Sequence, residues 1–191
     1  MSPSPDRAVA IGASAGGVQA LLALLPALPA DFPWPIFIVL HVPADRGNVL
    51  APLFEAKCRL EVKEAEDKET ARPGVVYFAP SDYHLLIEGN GDLALSSDEA
   101  VNYSRPSIDV LFESAADAYG AGLIGVILTG ANDDGAKGLK AVADAGGVAL
   151  VEEPADAYAQ AMPQAARRAC DTALVLPLER IAEHLKGLGT E

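Results

Sequence analysis

The sequence predicts a doubly wound α/β domain, a mostly parallel sheet with helices on both faces and a small antiparallel hairpin excursion. Three observations predict it. Short apolar runs recur at residues 8–11, 36–40, 123–128, 148–151 and 173–176. Helical patterns at 48–57, 107–119, 136–145 and 178–188 separate most of them, which is the rhythm of strands joined by helical crossovers. The stretch 75–96 breaks that rhythm, with a strand at 75–78 followed by two apolar runs that turn on Asn90-Gly91, a strong hairpin signal.

The first run, Ala8-Val9-Ala10-Ile11, reads as a buried strand, and residues 18–25 are too helix-prone to continue it. Gly12-Ala13-Ser14-Ala15-Gly16-Gly17 must therefore form the turn between them, which puts Ser14 at a strand-to-helix corner in a G-x-S-x-G pattern. Small neighbours there let a substrate and backbone N–H groups approach a serine hydroxyl. The same residues also suit a serine N-cap or a glycine turn that binds phosphate at a helix N-terminus.

The run at 36–40 ends in His41-Val42-Pro43, and the run at 123–128 ends in Thr129-Gly130-Ala131-Asn132-Asp133-Asp134-Gly135. Ligands of open α/β sheets bind at such carboxyl ends. Three strand ends thus offer Ser14, His41 and Asp134, the set that nucleophilic acyl transfer requires. Taken singly, His41 also fits a strand-end residue bonded to a carbonyl, and Asp134 a helix cap. The order Ser, His, Asp, with the serine after the first strand, excludes the α/β-hydrolases. The glycine turn is not G-x-G-x-x-G, and His41 stands where a ribose-binding acid belongs, so a dinucleotide is not expected.

With 191 residues, half of them hydrophobic, the chain suits one domain over 1–191 with an ordered core of about 7–188. The start lacks a basic n-region and a long apolar segment, which predicts a cytoplasmic protein, and no run is long enough to insert in a membrane. A net charge of −13 argues against nucleic acid and anionic membranes as partners. Cys58 and Cys170 form no C-x-x-C, lie in helical-looking segments and read as small buried apolar groups. No metal and no cofactor is expected. The charged stretch 61–69 reads as a solvated face or an edge strand.

Several motifs in order resemble one family, the catalytic domain of the protein-glutamate methylesterases (CheB) of bacterial chemotaxis. They are 8–14, Leu40-His41-Val42-Pro43, Tyr77-Phe78-Ala79-Pro80 with His84-Leu85, the stretch 104–112, Leu128-Thr129-Gly130 through Asp134-Gly135-Ala136, and 161–166. The resemblance implies that Ser14 is the nucleophile, His41 the general base and Asp134 the orienting acid. It implies hydrolysis of γ-glutamyl methyl esters on the cytoplasmic domains of methylated chemoreceptors, and in some members deamidation of receptor glutamines. It places oxyanion donors at the backbone of Ala15 and Ala131, and substrate-binding residues at Arg105 and Ser107. Residues 106–107 equally suit the start of a helix with Ile108, Leu111 and Phe112 in the core.

The chain departs from the family at four points. Ala15 stands where threonine is usual, and Ala131, Asn132 and Asp133 stand where the family has Met-Gly-x. If position 132 needs a positive φ, asparagine is the best-tolerated replacement for glycine. Asp133 is a rival orienting acid, although Asp134-Gly135 matches the motif. His84 is expected to be structural and His184 solvated. Too few residues precede the first strand for a receiver domain, so the chain reads either as a domain cut from a longer protein or as a stand-alone esterase, which would be controlled by a separate regulatory protein or act outside classical chemotaxis on another protein. Two other readings stand beside the methylesterase: a non-catalytic receptor-binding module of the same fold, and an esterase with another protein substrate.

Overall fold

The run Ala8 to Ala13 is buried at every position, as a strand is at the centre of a parallel sheet with both faces covered. The computed structural model describes residues 6–190, and of residues 44, 47 and 48 the backbone only. In chain order the elements are β1 (Ala8–Ala13), α1 (Gly17–Leu24), β2 (Ile36–Leu40), α2 (Leu50–Glu55), β3 (Glu61–Glu64), β4 (Val75–Phe78), β5 (His84–Ile87), β6 (Leu93–Ser96), α3 (Ile108–Tyr119), β7 (Leu123–Ile127), α4 (Ala136–Asp144), β8 (Val148–Glu152), α5 (Ala161–Ala169), β9 (Leu174–Leu176) and α6 (Leu178–Gly189). Seven strands form one sheet in the order β3-β4-β2-β1-β7-β8-β9, and every pairing in it is parallel. Strands β5 and β6 form the separate antiparallel hairpin, closed by Gly91 at φ 85°.

The two-residue period of β1 divides the core. Val9, Ile11 and Ala13 pack among Leu21, Leu24, Phe54, Ile181 and Leu185 on the face covered by α1, α2 and α6. Ala8 and Ala10 face the opposite layer, where Phe37, Tyr77, Leu111, Phe112, Leu139 and Met162 lie under α3, α4 and α5. The hairpin rests on α3, and Ile87 N–H donates to Ser114 Oγ at 3.0 Å.

Two details differ from the sequence reading, and a third decides between two readings left open. The helix expected over 48–57 is α2 alone, preceded by a 3₁₀ segment at Ala44–Val49. Pro52 falls in the first turn of α2, where a missing N–H costs nothing. Both cysteines are free and lie just past helices rather than within them, Cys170 buried and Cys58 partly so. Of the two readings of the charged stretch, the edge strand is the one observed, β3, whose Lys63 bonds Glu66 and Glu69. Lysine on an outer strand discourages pairing with another chain.

Strand register brings the candidate residues to a common level. The last β1–β2 pair is Ala13 with Leu40, so Ser14 and His41 are each one step beyond it. His41 N–H donates to Ala13 O at 3.0 Å, and Ser14 N–H donates to Thr129 O at 2.9 Å, which extends the β1–β7 pairing past the strand. The ends of β2, β1 and β7 therefore open side by side. Gly12 permits α3 to sit against them: a Cβ there would collide with Ile108 Cγ2. We predict that Gly12→Ala destabilises the fold by about 1–3 kcal/mol through this overpacking, measured as a lowered urea midpoint at unchanged slope.

Candidate active site

The loop after β7 carries Asp134 into the protein, where it has no exposed surface. Gly135 follows at φ 95°, and any Cβ on it would strike Ile127 and Ile108, so only glycine lets the chain pass this close. The Asp134 carboxylate lands on the N-terminus of α3. Its Oδ2 accepts Ile108 N–H at 2.7 Å, and its Oδ1 accepts Asp109 N–H at 3.2 Å and the Ser107 hydroxyl at 2.8 Å. A carboxylate at a helix N-terminus meets unpaired N–H groups and the positive end of the helix dipole. Asn102 Nδ2 adds a further donor to Oδ1 at 2.8 Å.

His41 Nε2 lies 2.9 Å from Asp134 Oδ2. Because an ionised carboxylate only accepts, Nε2 carries the proton and Nδ1 keeps its lone pair in the neutral ring. Burial by itself would push the Asp134 carboxyl up, but the bonds from His41, Ile108, Asn102 and Ser107 outweigh it and hold the group below its ordinary value. The rival acid, Asp133, is exposed. Asn132 Oδ1 accepts Asp134 N–H at 3.0 Å, which turns the Asn132 amide toward His41 with Nδ2 at 3.4 Å from Nδ1. Asn132 does not have a positive φ; in this loop that conformation falls to Gly135.

Ser14 is partly exposed at the neighbouring strand end, and its hydroxyl makes no hydrogen bond among the described residues. The pair actually formed is therefore His41 with Asp134. Gly16, at φ 79°, closes the serine turn beneath Tyr158, leaving no room for a side chain. Thr129 secures the turn, its hydroxyl donating to Ala15 O at 2.8 Å and accepting Ala159 N–H at 2.8 Å. Thr129 N–H in turn donates to buried Glu152 Oε2 at 2.8 Å. The N–H groups of Ala15 and Ala131 donate to no protein acceptor among the described residues.

A cleft of about 220 Å³ opens beside His41, bounded by Leu40, Leu50, Ala79, Tyr103 and Arg105. Arg105 reaches its wall, yet its guanidinium is engaged by Asp82 at 2.6 Å and by the carbonyls of Ser97 and Asp98. Ser107 requires correction. It is fully buried and spends its hydroxyl on Asp134, so no substrate can touch it. His84 is structural: Nδ1 accepts Ser107 N–H at 3.1 Å and Nε2 donates to Glu99 O. Asn102, Thr129 and Glu152 are not among the site residues the sequence offers, because each reaches the site through a partner distant in the chain: Asp134 is 32 residues from Asn102, Ala15 is 114 from Thr129, and Thr129 is 23 from Glu152. No group of three or more His, Cys, Asp or Glu able to hold a metal occurs among the described residues.

Glu152 has one backbone donor where Asp134 has several partners. Burial raises its carboxyl above the ordinary value, and the Thr129 bond offsets only part of this. A carboxyl raised by folding favours the fold while protonated, and that contribution disappears as pH rises through the folded-state pKa. Glu152→Gln retains an acceptor for Thr129 without the charge. We predict that its melting temperature rises relative to the parent as pH increases from below the ordinary glutamate range to neutrality. Thermal unfolding at the two pH values measures this, and a difference that does not vary with pH would contradict it.

Comparison with known proteins gives the same picture. The CheB methylesterase family model matches residues 9–185. A putative protein-glutamate methylesterase/protein-glutamine glutaminase of Leptospira interrogans is 49% identical over 177 residues, covering 93% of this chain and 92% of that protein. The protein-glutamate methylesterase/protein-glutamine glutaminase of Archaeoglobus fulgidus is 38% identical over 183 residues, covering 94% of this chain and 52% of that protein. The crystal structure of the Thermotoga maritima CheB methylesterase catalytic domain superposes with a TM-score of 0.89 at 37% identity, covering 95% of this chain and 98% of that one. With a family model spanning nearly its whole length and a site built at the same three strand ends from which acyl chemistry was read, this chain belongs to the CheB methylesterase family.

Proposed function

We propose that this protein is a protein-glutamate methylesterase that hydrolyses γ-glutamyl methyl esters on the cytoplasmic domains of chemoreceptors, and that it also deamidates receptor glutamines. The observation that carries the reading is the His41–Asp134 pair, with His41 and Ser14 each one step past the last paired residues of two adjoining parallel strands. Adjacent strands lie about 4.8 Å apart, so a side-chain rotation is enough to bring hydroxyl and imidazole into contact. Catalytic hydrogen bonds commonly tighten only when substrate is bound.

In this mechanism Ser14 Oγ attacks the ester carbonyl while His41 takes its proton. With Nε2 committed to Asp134, the accepting atom is Nδ1, and the Asn132 amide gives way to the serine. The tetrahedral oxyanion draws on the N–H groups of Ala15 and Ala131, which have no other protein acceptor among the described residues. His41 returns the proton to the departing methoxide, and methanol leaves an acyl-enzyme. Water, deprotonated by the same imidazole, then releases the glutamate and restores Ser14. A glutamine follows the same course with ammonia leaving. Through both halves Asp134 stabilises the imidazolium without accepting its proton. The solvent-facing side chain of Tyr103 and the wall at Arg105 meet the polypeptide around the ester.

Methanol release from methyl-labelled receptor membranes tests the reading. The parent protein is expected to release methanol, and Ser14→Ala to lose at least about a thousandfold in rate. No release by folded parent protein, or equal release by Ser14→Ala, would overturn it.

A further inference from the structure

Asn102 and Tyr103 occupy the corner of a tight turn, with φ of 53° and 61°. The flanking residues close it, Val101 and Ser104 exchanging both backbone hydrogen bonds at 3.0 Å. Two successive residues at positive φ give the type I′ geometry, which favours asparagine or glycine and is unusual for tyrosine. A turn of that kind is retained where surrounding contacts over-determine it. The Asn102 side chain supplies such contacts. Its Nδ2 is 2.8 Å from Asp134 Oδ1 and 2.7 Å from Asp109 Oδ2, so one amide gives one hydrogen to each of two carboxylates. The far oxygen of Asp109 is itself anchored, accepting Gly138 N–H from α4 at 2.6 Å. Asp109 and Asp134 thus stand side by side at the start of α3 with Asn102 between them, a neutral donor that separates two like charges. The next residues of the chain, Tyr103, Ser104 and Arg105, line the cleft beside His41.

We propose that Asn102 is a positioning residue for the esterase reaction: by bridging Asp109 and Asp134 it fixes the carboxylate orientation in which Asp134 Oδ2 holds His41 Nε2. This rests on the esterase reading for its kinetic consequence, although the geometry it asserts does not depend on the substrate. Without the bridge, Asp134 Oδ1 keeps only the donors of α3 and Ser107, and the unshielded charge of Asp109 pushes the carboxylate aside. Outer-shell partners of metal-ligating histidines contribute about ten- to a hundredfold, and the effect expected of Asn102 on the histidine–carboxylate pair is of that order.

Two variants separate positioning from support of the fold. Asn102→Gly suits a positive φ and removes the amide; losing two hydrogen bonds to buried carboxylates and loosening the unfolded chain are expected to lower its melting temperature, so both readouts are taken well below it, where the variant is folded. Asn102→Asp also tolerates the turn but presents a third carboxylate to the other two. The first readout is the proton NMR resonance of His41 Nε2–H, which reports the His41–Asp134 bond without any substrate. It is expected to broaden or move upfield in both variants, more in Asn102→Asp. The second is methanol release, where kcat is expected to fall about tenfold to a hundredfold in Asn102→Gly and further in Asn102→Asp, with KM unchanged. An unaltered Nε2–H resonance in both variants overturns the proposal, as does a lowered melting temperature with kcat intact. Absence of methanol release from the parent, together with the altered resonance, would count against the esterase reading while upholding the position assigned to Asn102.

Discussion

The arrangement of the site depends on one buried carboxylate. Asp134 sits on the N-terminus of α3 and receives five donors: two helix N–H groups, a hydroxyl, an amide and the imidazole of His41. An isolated carboxylate would not remain ionised in such a place, since removal from water raises its pKa. The donors reverse that shift, and the ion they hold fixes the proton of His41 on Nε2. The same contact ties the β7 loop to α3, so the element that caps the helix is also the one that orients His41. Gly135 and Gly12 make this approach possible from the loop and strand sides, each lying against Ile108 where a Cβ would not fit.

A second buried carboxylate serves the serine side by a different balance. Glu152 accepts Thr129 N–H, Thr129 O accepts Ser14 N–H, and the Thr129 hydroxyl bonds Ala15 O. This relay stiffens the turn that carries the candidate nucleophile. Glu152 has a single backbone donor to set against burial, and its pKa rises where that of Asp134 falls. Asp109 lies between the two cases: it receives Gly138 N–H and the Asn102 amide, yet burial still raises it. The number of donors, more than depth, decides in which direction each of these carboxyls shifts.

Much of the architecture is legible in local sequence. Continuous apolar runs at β1, β2 and β7, each ending in small or polar residues, announce buried parallel strands and mark the level at which side chains emerge. Asn90-Gly91 gives the hairpin away for the same reason, since its turn type favours those residues. Harder to read were residues whose meaning lies in a distant partner. The family resemblance sets Ser107 among the contacts for substrate, but the helix start turns it inward to Asp134. Arg105 kept its place at the cleft while its charge was taken up by Asp82.

The sequence by itself determined the alternation of strands and helices, the placement of Ser14, His41 and Asp134 at strand ends, and their likeness to a methylesterase family. The first two follow from periodicity and chain order, which act over a few residues, while the likeness rests on the motifs that match the family. Only the tertiary structure decided that Asp134 rather than Asp133 meets His41, and that Nε2 is the nitrogen it meets. It also decided that Asn102 bridges two carboxylates across gaps of 7 and 32 residues. The physical reason is that hydrogen-bond partners inside a fold are chosen by where chain segments are packed, and no local pattern records a donor that arrives from another layer.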